Sequence, residues 1–143
     1  MLVNYTSIYT TNRDTIENLV GLPFTLNERK QLSGILSALL PITEVSLQIY
    51  NILVTEELAS FCQIELRTKG ILIHLGPGAT QYTLPIPYYK LVLYKGKSEE
   101  YSIHKDTYFV KFEVAKDDVK THQFLKKVTN QKSNQRLTYI DDL

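Results

Sequence analysis

The chain has no tryptophan, a single cysteine, and only 6 glycines and 5 prolines among 143 residues. Cys62 alone cannot close an intramolecular disulfide or be half of a Cys-x-x-Cys zinc or redox pair, which fits a reducing compartment. So few glycines and prolines exclude collagen-like and low-complexity chains. Charge of one sign is missing too: 16 Lys and Arg stand against 15 Asp and Glu. A duplex-binding domain normally carries a clear cationic excess, so no nucleic-acid partner is expected. No apolar run approaches the roughly 20 residues of a membrane span, so no transmembrane segment is expected. The opening MLVNYTSIYTTNRD lacks the basic head and apolar run of a secretion signal, and the expected location is cytoplasmic.

What is present suffices for a folded domain. Hydrophobic residues make up 43% of the chain and charged residues 22%, so a single core of ordinary size is expected over residues 1–143. The predicted organisation is an N-terminal arm over 1–24, a helical region over 25–60, antiparallel strands over 61–114, a C-terminal helix over 115–130 and a polar tail over 131–143. Thr25 and Glu28 have capping-box spacing, and Leu26, Leu32, Ile35, Leu36 and Leu39 gather on one side of a helix that Pro41 ends. Ile42 to Ser60 fits either state, since Val45, Leu47 and Ile49 alternate while Ile49, Ile52 and Leu53 also suit a helix; the reading adopted is helix.

From Phe61 the period becomes two. Cys62, Ile64 and Leu66 alternate with polar residues, and Ile71, Ile73 and Leu75 resume after Lys69-Gly70. With Lys69-Gly70 as the turn, Leu66 faces Ile73 and Ile64 faces Leu75, both on one face. Gly76-Pro77-Gly78 breaks the chain. A long strand then runs from Gln81 to about Tyr94, and Pro85 and Pro87 make it an edge strand or bend it between two sheets. Lys95-Gly96-Lys97 turns the chain into Glu100 to His104, and Lys105-Asp106 turns it into Thr107 to Val114, whose residues Tyr108, Val110, Phe112 and Val114 share a face. Acids at its start and Lys126 and Lys127 near its end support a helix over about Asp117 to Asn130, with Thr121, Phe124, Leu125 and Val128 as its buried stripe. Val119 lies off that stripe.

Chemistry-bearing patterns are scarce. The three histidines lack metal-ligand spacing, so neither a metal nor a cofactor is indicated. His74 and His104 fall on outward strand faces, with Glu65 beside His74 across the hairpin. Cys62 faces the core, where a thiol is inert. Gly76-Pro77-Gly78 fails as a dinucleotide loop, because a strand follows and Pro removes a backbone donor. The paired acids, such as Glu56-Glu57, are sequence neighbours whose side chains point apart. No catalytic residue is assigned. Tyrosine is plentiful, with 10 in all, and Tyr88 and Tyr94 are candidates for an aromatic binding surface. From Pro87 to Arg136 there are 11 basic against 6 acidic residues, which makes this the basic half.

The stretch from ELRTKGILIHLGPGATQYTLPIPYYKLVLYKGKSEEYSIHKDTYFVKFEVAKDDVKTHQFLKKV resembles a bacterial pleckstrin-homology-like domain over roughly residues 61–130. Its fold class is α+β: an antiparallel β meander, in that family a two-sheet barrel, with N-terminal helices and a C-terminal capping helix. The sequence departs from the family in showing five strands where seven are usual and Phe124 where eukaryotic members place a tryptophan. The resemblance implies a non-enzymatic binding or adaptor role, with a protein partner among its ligands. An anionic lipid headgroup is its other implied ligand. The missing catalytic constellation and the amount of apolar and aromatic strand surface add an expectation of self-association, through the proline-bearing edge or the tyrosine-rich face. If Gln81 to Tyr94 runs as one bent strand, the turns at Lys69-Gly70 and Lys95-Gly96-Lys97 lie at one end of the sheet. Arg67, Lys69, Lys95 and Lys97 then form a cationic rim suited to a phosphate, as in the basic hairpin loop of phosphoinositide-binding members. The competing architecture is an open α+β layer, used by small homodimeric chaperones and ligand-binding proteins and by some enzymes with a cone-shaped sheet.

Overall fold

The computed structural model describes residues 3–4, 13–76, 82–97 and 99–141. Eight strands form one sheet: β1 (Val3–Asn4), β2 (Leu40–Val45), β3 (Phe61–Leu66), β4 (Gly70–Leu75), β5 (Tyr82–Pro87), β6 (Val92–Lys95), β7 (Glu100–Lys105) and β8 (Tyr108–Glu113). Among the described residues four helices accompany them: α1 (Arg13–Val20), α2 (Leu26–Gln31), α3 (Leu47–Thr55) and α4 (Val119–Asp141). The sheet order is β1-β5-β4-β3-β2-β8-β7-β6, with every pairing antiparallel. The fold is therefore α+β, with a meander β3-β4-β5 and a meander β6-β7-β8 joined by β2, and the sheet does not close on itself. Leu40 and Pro41 of β2 pair with β3, whereas Ile42 to Val45 pair with β8, and a register shift between Ile42 and Glu44 marks the corner. Apolar side chains of both meanders, of α3 (Ile49, Leu53) and of α4 (Phe124, Leu125, Val128) share one core.

The capping box at Thr25 and Glu28 is present, but the helix it starts ends at Gln31 and not at Leu39. Ser33 and Gly34 adopt φ of 60° and 97°, and the Gly34 and Ser33 amides return to the carbonyls of Arg29 and Lys30. That is a Schellman ending, and it outweighs the apolar spacing beyond it. Ile35 to Ser37 then lie along β3, where the Leu66 amide donates to the Ile35 carbonyl and the Ser37 amide to the Ile64 carbonyl. Only Ile35 of the expected stripe is buried, while Leu26, Leu36 and Leu39 are exposed. The ambiguous segment from Ile42 is both things, a strand to Val45 and a helix from Leu47, with Ser46 between them exchanging hydrogen bonds with Phe109.

The first hairpin keeps the expected faces with a register two residues tighter. Leu66 pairs with Ile71, Ile64 with Ile73 and Cys62 with Leu75, so Thr68 and Lys69 make the turn. Gly70 belongs to β4 and not to a turn position of positive φ. A Cβ there would lie 2.4 Å from the Ile86 carbonyl oxygen and 2.8 Å from Val20 Cγ1. Close approach of β5 and α1, not turn chemistry, requires this glycine.

The arm over 1–24 contains a helix that sequence reading missed. Ile16 and Val20 of α1 pack on Leu72, on the outer face of β4. A second small core thus covers a face expected to meet water. At its end the Lys69 amide donates to the Val20 carbonyl, and Thr68 Oγ1 to the Leu22 carbonyl, tying α1 to the β3–β4 turn.

Gln81 to Tyr94 is not one strand. β5 ends at Pro87, a 3₁₀ turn follows at Tyr88 to Lys90, and β6 begins the other meander. Pro85 and Pro87 do sit where the chain passes from one half of the sheet to the other, and β1 flanks β5 at Tyr82 and Thr83. The C-terminal helix buries Thr121, Phe124, Leu125 and Val128 as expected and leaves Val119 exposed. It continues through the expected polar tail to Asp141. Of the break at Gly76-Pro77-Gly78, only Gly76 lies within the described residues, as do parts of the arm and tail; Asp142 and Leu143 lie outside.

Candidate functional site

The corner in β2 changes where the candidate cations fall. Paired ends carry the position of Lys95 across the sheet: Lys95 faces Tyr101, Glu100 faces Glu113, Ile42 faces Phe112, and Pro41 faces Phe61. Lys95 and Lys97 therefore lie toward the Phe61 end of β3, whereas Arg67 and Lys69 follow Leu66 at its other end. The expected rim does not form, because β2 pairs with β3 only through Leu40 and Pro41 and with β8 through Ile42 to Val45, which offsets the second meander from the first along the strands.

Each cation has its own surroundings. Arg67 is half-buried, with Nε donating to Glu65 at 2.6 Å. Lys69 is exposed on the turn docked against α1. Lys97 is exposed, and the β6–β7 turn it occupies is closed by the Gly96 amide donating to Glu100.

Of the aromatic candidates, Tyr88 is a core residue, only 2% exposed, whose hydroxyl donates to the Arg67 carbonyl. Burial pushes its phenol well above the ordinary range. It sits on the 3₁₀ turn, facing inward, which the strand period could not convey. Tyr94 is exposed, edge-on to His104 at 5.2 Å, and His104 stacks on Phe109 at 5.6 Å. These three side chains form a row across the outer face of β6, β7 and β8. Burial and the Lys111 ammonium hold the His104 imidazole below its usual pKa, so the row carries no charge of its own at neutral pH.

His74, expected outward and solvated, is 4% exposed. It shares the outer face of β4 with Leu72, where α1 packs. Its Nδ1 lies 2.9 Å from Thr83 Oγ1 and its Nε2 3.1 Å from Glu65 Oε1, which continues the chain to Arg67. Burial alone would raise the Glu65 pKa, but the His74 and Arg67 bonds overcome it and hold the carboxyl below its ordinary value. This network is satisfied and closed, which suits packing better than chemistry. Cys62 is fully buried, and burial pushes its thiol up to about 12. Among the described residues no three His, Cys, Asp or Glu side chains are grouped to hold a metal. None of the described helices is long and apolar enough to cross a membrane.

Lys95, Glu99, Tyr101, Lys116 and His122 line an open cleft of about 430 Å³. Three elements build it: the β6–β7 hairpin, the loop after β8, and the first turns of α4. Tyr101 is 8% exposed and forms the floor. His122 Nε2 lies 3.0 Å from the Ala115 carbonyl, which can only accept, so Nε2 carries the proton. With that proton on Nε2, Nδ1 accepts from the Tyr101 hydroxyl at 2.8 Å. Burial raises the Tyr101 pKa, keeping that phenol protonated. The Lys95 ammonium lies 5.8 Å from the Tyr101 ring centroid. Among the described residues neither Lys95 nor Lys116 forms an ion pair, and Glu99 forms none either. Sequence reading had only Lys95 of this set, because Lys116 and His122 are distant in the chain and come together where α4 leaves the sheet. No family model, no curated protein and no solved structure matches this chain.

Proposed function

We propose that this protein is a non-enzymatic binding or adaptor module of pleckstrin-homology-like type. The observation that supports it is the order of elements from β2 to α4. Seven antiparallel strands run in two meanders, and one long helix follows the last strand. The count of five strands made from sequence omitted β2 and merged β5 with β6; seven removes that departure from the family. Such a build offers partners a surface, and the row Tyr94, His104 and Phe109 is an aromatic surface of this kind. A protein partner is the favoured ligand; self-association through the same row is the assembly form of this reading.

Amide chemical shifts of the ¹⁵N-labelled chain test it, titrated with a peptide panel and with vesicles containing phosphoinositides. Saturable changes over β6 to β8, with the ligand chemically unchanged and the response lost in Tyr94→Ala, support the reading. Lys69→Glu and Lys95→Glu in the vesicle arm separate anionic-headgroup binding from protein binding. Turnover of any probe that Tyr101→Phe or His122→Ala abolishes would replace this reading with an enzymatic one. Sedimentation velocity showing a strict monomer would remove the assembly form.

A further inference from the structure

The cleft between the β6–β7 hairpin and α4 holds two ammonium groups and one carboxylate, none of them neutralised by a partner among the described residues. Elsewhere the chain does pair such groups, as Arg67 with Glu65 and Lys90 with Asp106. The helix N-terminus nearby is no candidate for an anion, because Asp118 already caps it, accepting from the Thr121 amide at 3.2 Å and hydroxyl at 2.7 Å. The floor is also committed: the Tyr101 proton goes to His122 and the His122 proton to Ala115, leaving only the phenol oxygen to accept. Free donors at this cleft are therefore Lys95 and Lys116, and the free charged acceptor is Glu99.

That set selects a ligand by charge. A simple anion would suit the two lysines and meet Glu99. A simple cation would suit Glu99 and meet two ammonium groups. A small molecule carrying both charges satisfies all three, with its carboxylate toward Lys95 and Lys116 and its ammonium toward Glu99. We propose that this cleft binds a small zwitterion of the α-amino-acid type. The side chain of such a ligand has the Tyr101 ring to pack on, and a space of about 430 Å³ is within the range of small-molecule sites. The proposal stands on the cleft and does not depend on the pleckstrin-homology-like reading, whose expected response lies on the outer face of β6 to β8.

The test is a titration of the full chain with L-alanine and L-glutamine, and with acetate, inorganic phosphate and ethylammonium as single-charge probes, following the Tyr101 and His122 resonances. At ~10 mM ligand, a Kd of about 1 mM gives close to full occupancy, so weak binding is read directly. The amino acids are expected to saturate, with each single-charge probe at least about tenfold weaker, the scale of one charge-assisted hydrogen bond. Glu99→Gln should weaken amino-acid binding by about tenfold and strengthen acetate binding, and Lys95→Ala with Lys116→Ala should weaken both. All three positions line an open cleft, and an unchanged amide spectrum elsewhere confirms that a variant is folded. The proposal is overturned by the absence of a saturable response to either amino acid. It is equally overturned if acetate or phosphate matches the amino acids, or if folded variants bind them as the wild type does.

Discussion

The buried Lys105 ammonium on β7 donates to the Pro85 carbonyl on β5 at 3.3 Å, bridging the two meanders on the side where the sheet is open. Pro85 has no N–H, and the alternation that points the Tyr88 amide at Lys69 turns the Pro85 carbonyl away from β4. Lys105 thus satisfies an acceptor that no strand meets among the described residues. Lys132 of α4 repeats the device on the Leu91 carbonyl.

Lys105→Met keeps the stem and removes the donor. The expected loss is about 1 to 3 kcal/mol, the cost of a buried carbonyl left unpaired, measured by urea unfolding at pH 7. Burial, and then the Lys90 charge, lower the Lys105 pKa from its ordinary 10.5. The unfolded state therefore binds more protons between the folded pKa and 10.5. Wild-type stability should rise relative to Lys105→Met as pH increases through that window, and a constant difference would contradict the assignment.

Glu65 works in the opposite sense. Its carboxyl is held below the ordinary 4.5, so its contribution is present above that value and lost as pH falls through the folded pKa. Glu65→Gln should cost roughly 1 to 3 kcal/mol at pH 7, by leaving the His74 and Arg67 donors without a charged acceptor. The deficit relative to wild type should shrink on acidification, and paired urea midpoints at neutral and acid pH check it.

Two glycines should respond differently to alanine. At Gly70 the added Cβ would lie 2.4 Å from a backbone oxygen, so Gly70→Ala should displace α1 or β5 and cost more than about 2 kcal/mol. Gly34 has no atom within 4 Å of that position but sits at φ 97°, so Gly34→Ala should cost only about 1 kcal/mol of backbone strain. Thermal unfolding of both variants orders them.

Cys62 should be nearly inert. A thiol pushed to about 12 from 9.0 has roughly a thousandfold less thiolate at pH 8, before access is considered. Reaction with iodoacetamide should therefore follow unfolding, and urea should accelerate it to the rate of a free thiol. Prompt labelling of the native chain would show that β3 does not bury this residue.

Several features were legible in residue order because their cause is local. The capping box at Thr25 and Glu28 is closed by side chains three positions apart. Alternation in β3 and β8, and the stripe Thr121, Phe124, Leu125 and Val128, record which side of each element is withdrawn from water. Period two conveys parity, so the faces of the first hairpin followed from sequence although its register moved by two residues. Local order could not convey what covers a face. His74 reads as outward until α1 packs on the same side of β4, and Tyr88 reads as a strand tyrosine until a 3₁₀ turn directs it inward. Gly70 reads as a turn residue until Ile86 and Val20 approach it.

The cleft shows the same limit. Sequence alone determined that the chain would build an antiparallel α+β fold with a buried thiol and a C-terminal helix, since each follows from periodicity and caps within one segment. Only the tertiary structure decided that Lys95 would leave Arg67 and Lys69 and join Lys116, Glu99 and His122. That grouping depends on where β2 changes partner from β3 to β8. β2 pairs with β3 through Leu40 and Pro41 and with β8 through Ile42 to Val45, so the second meander is offset along the strand direction and its β6–β7 turn comes level with the Phe61 end of β3.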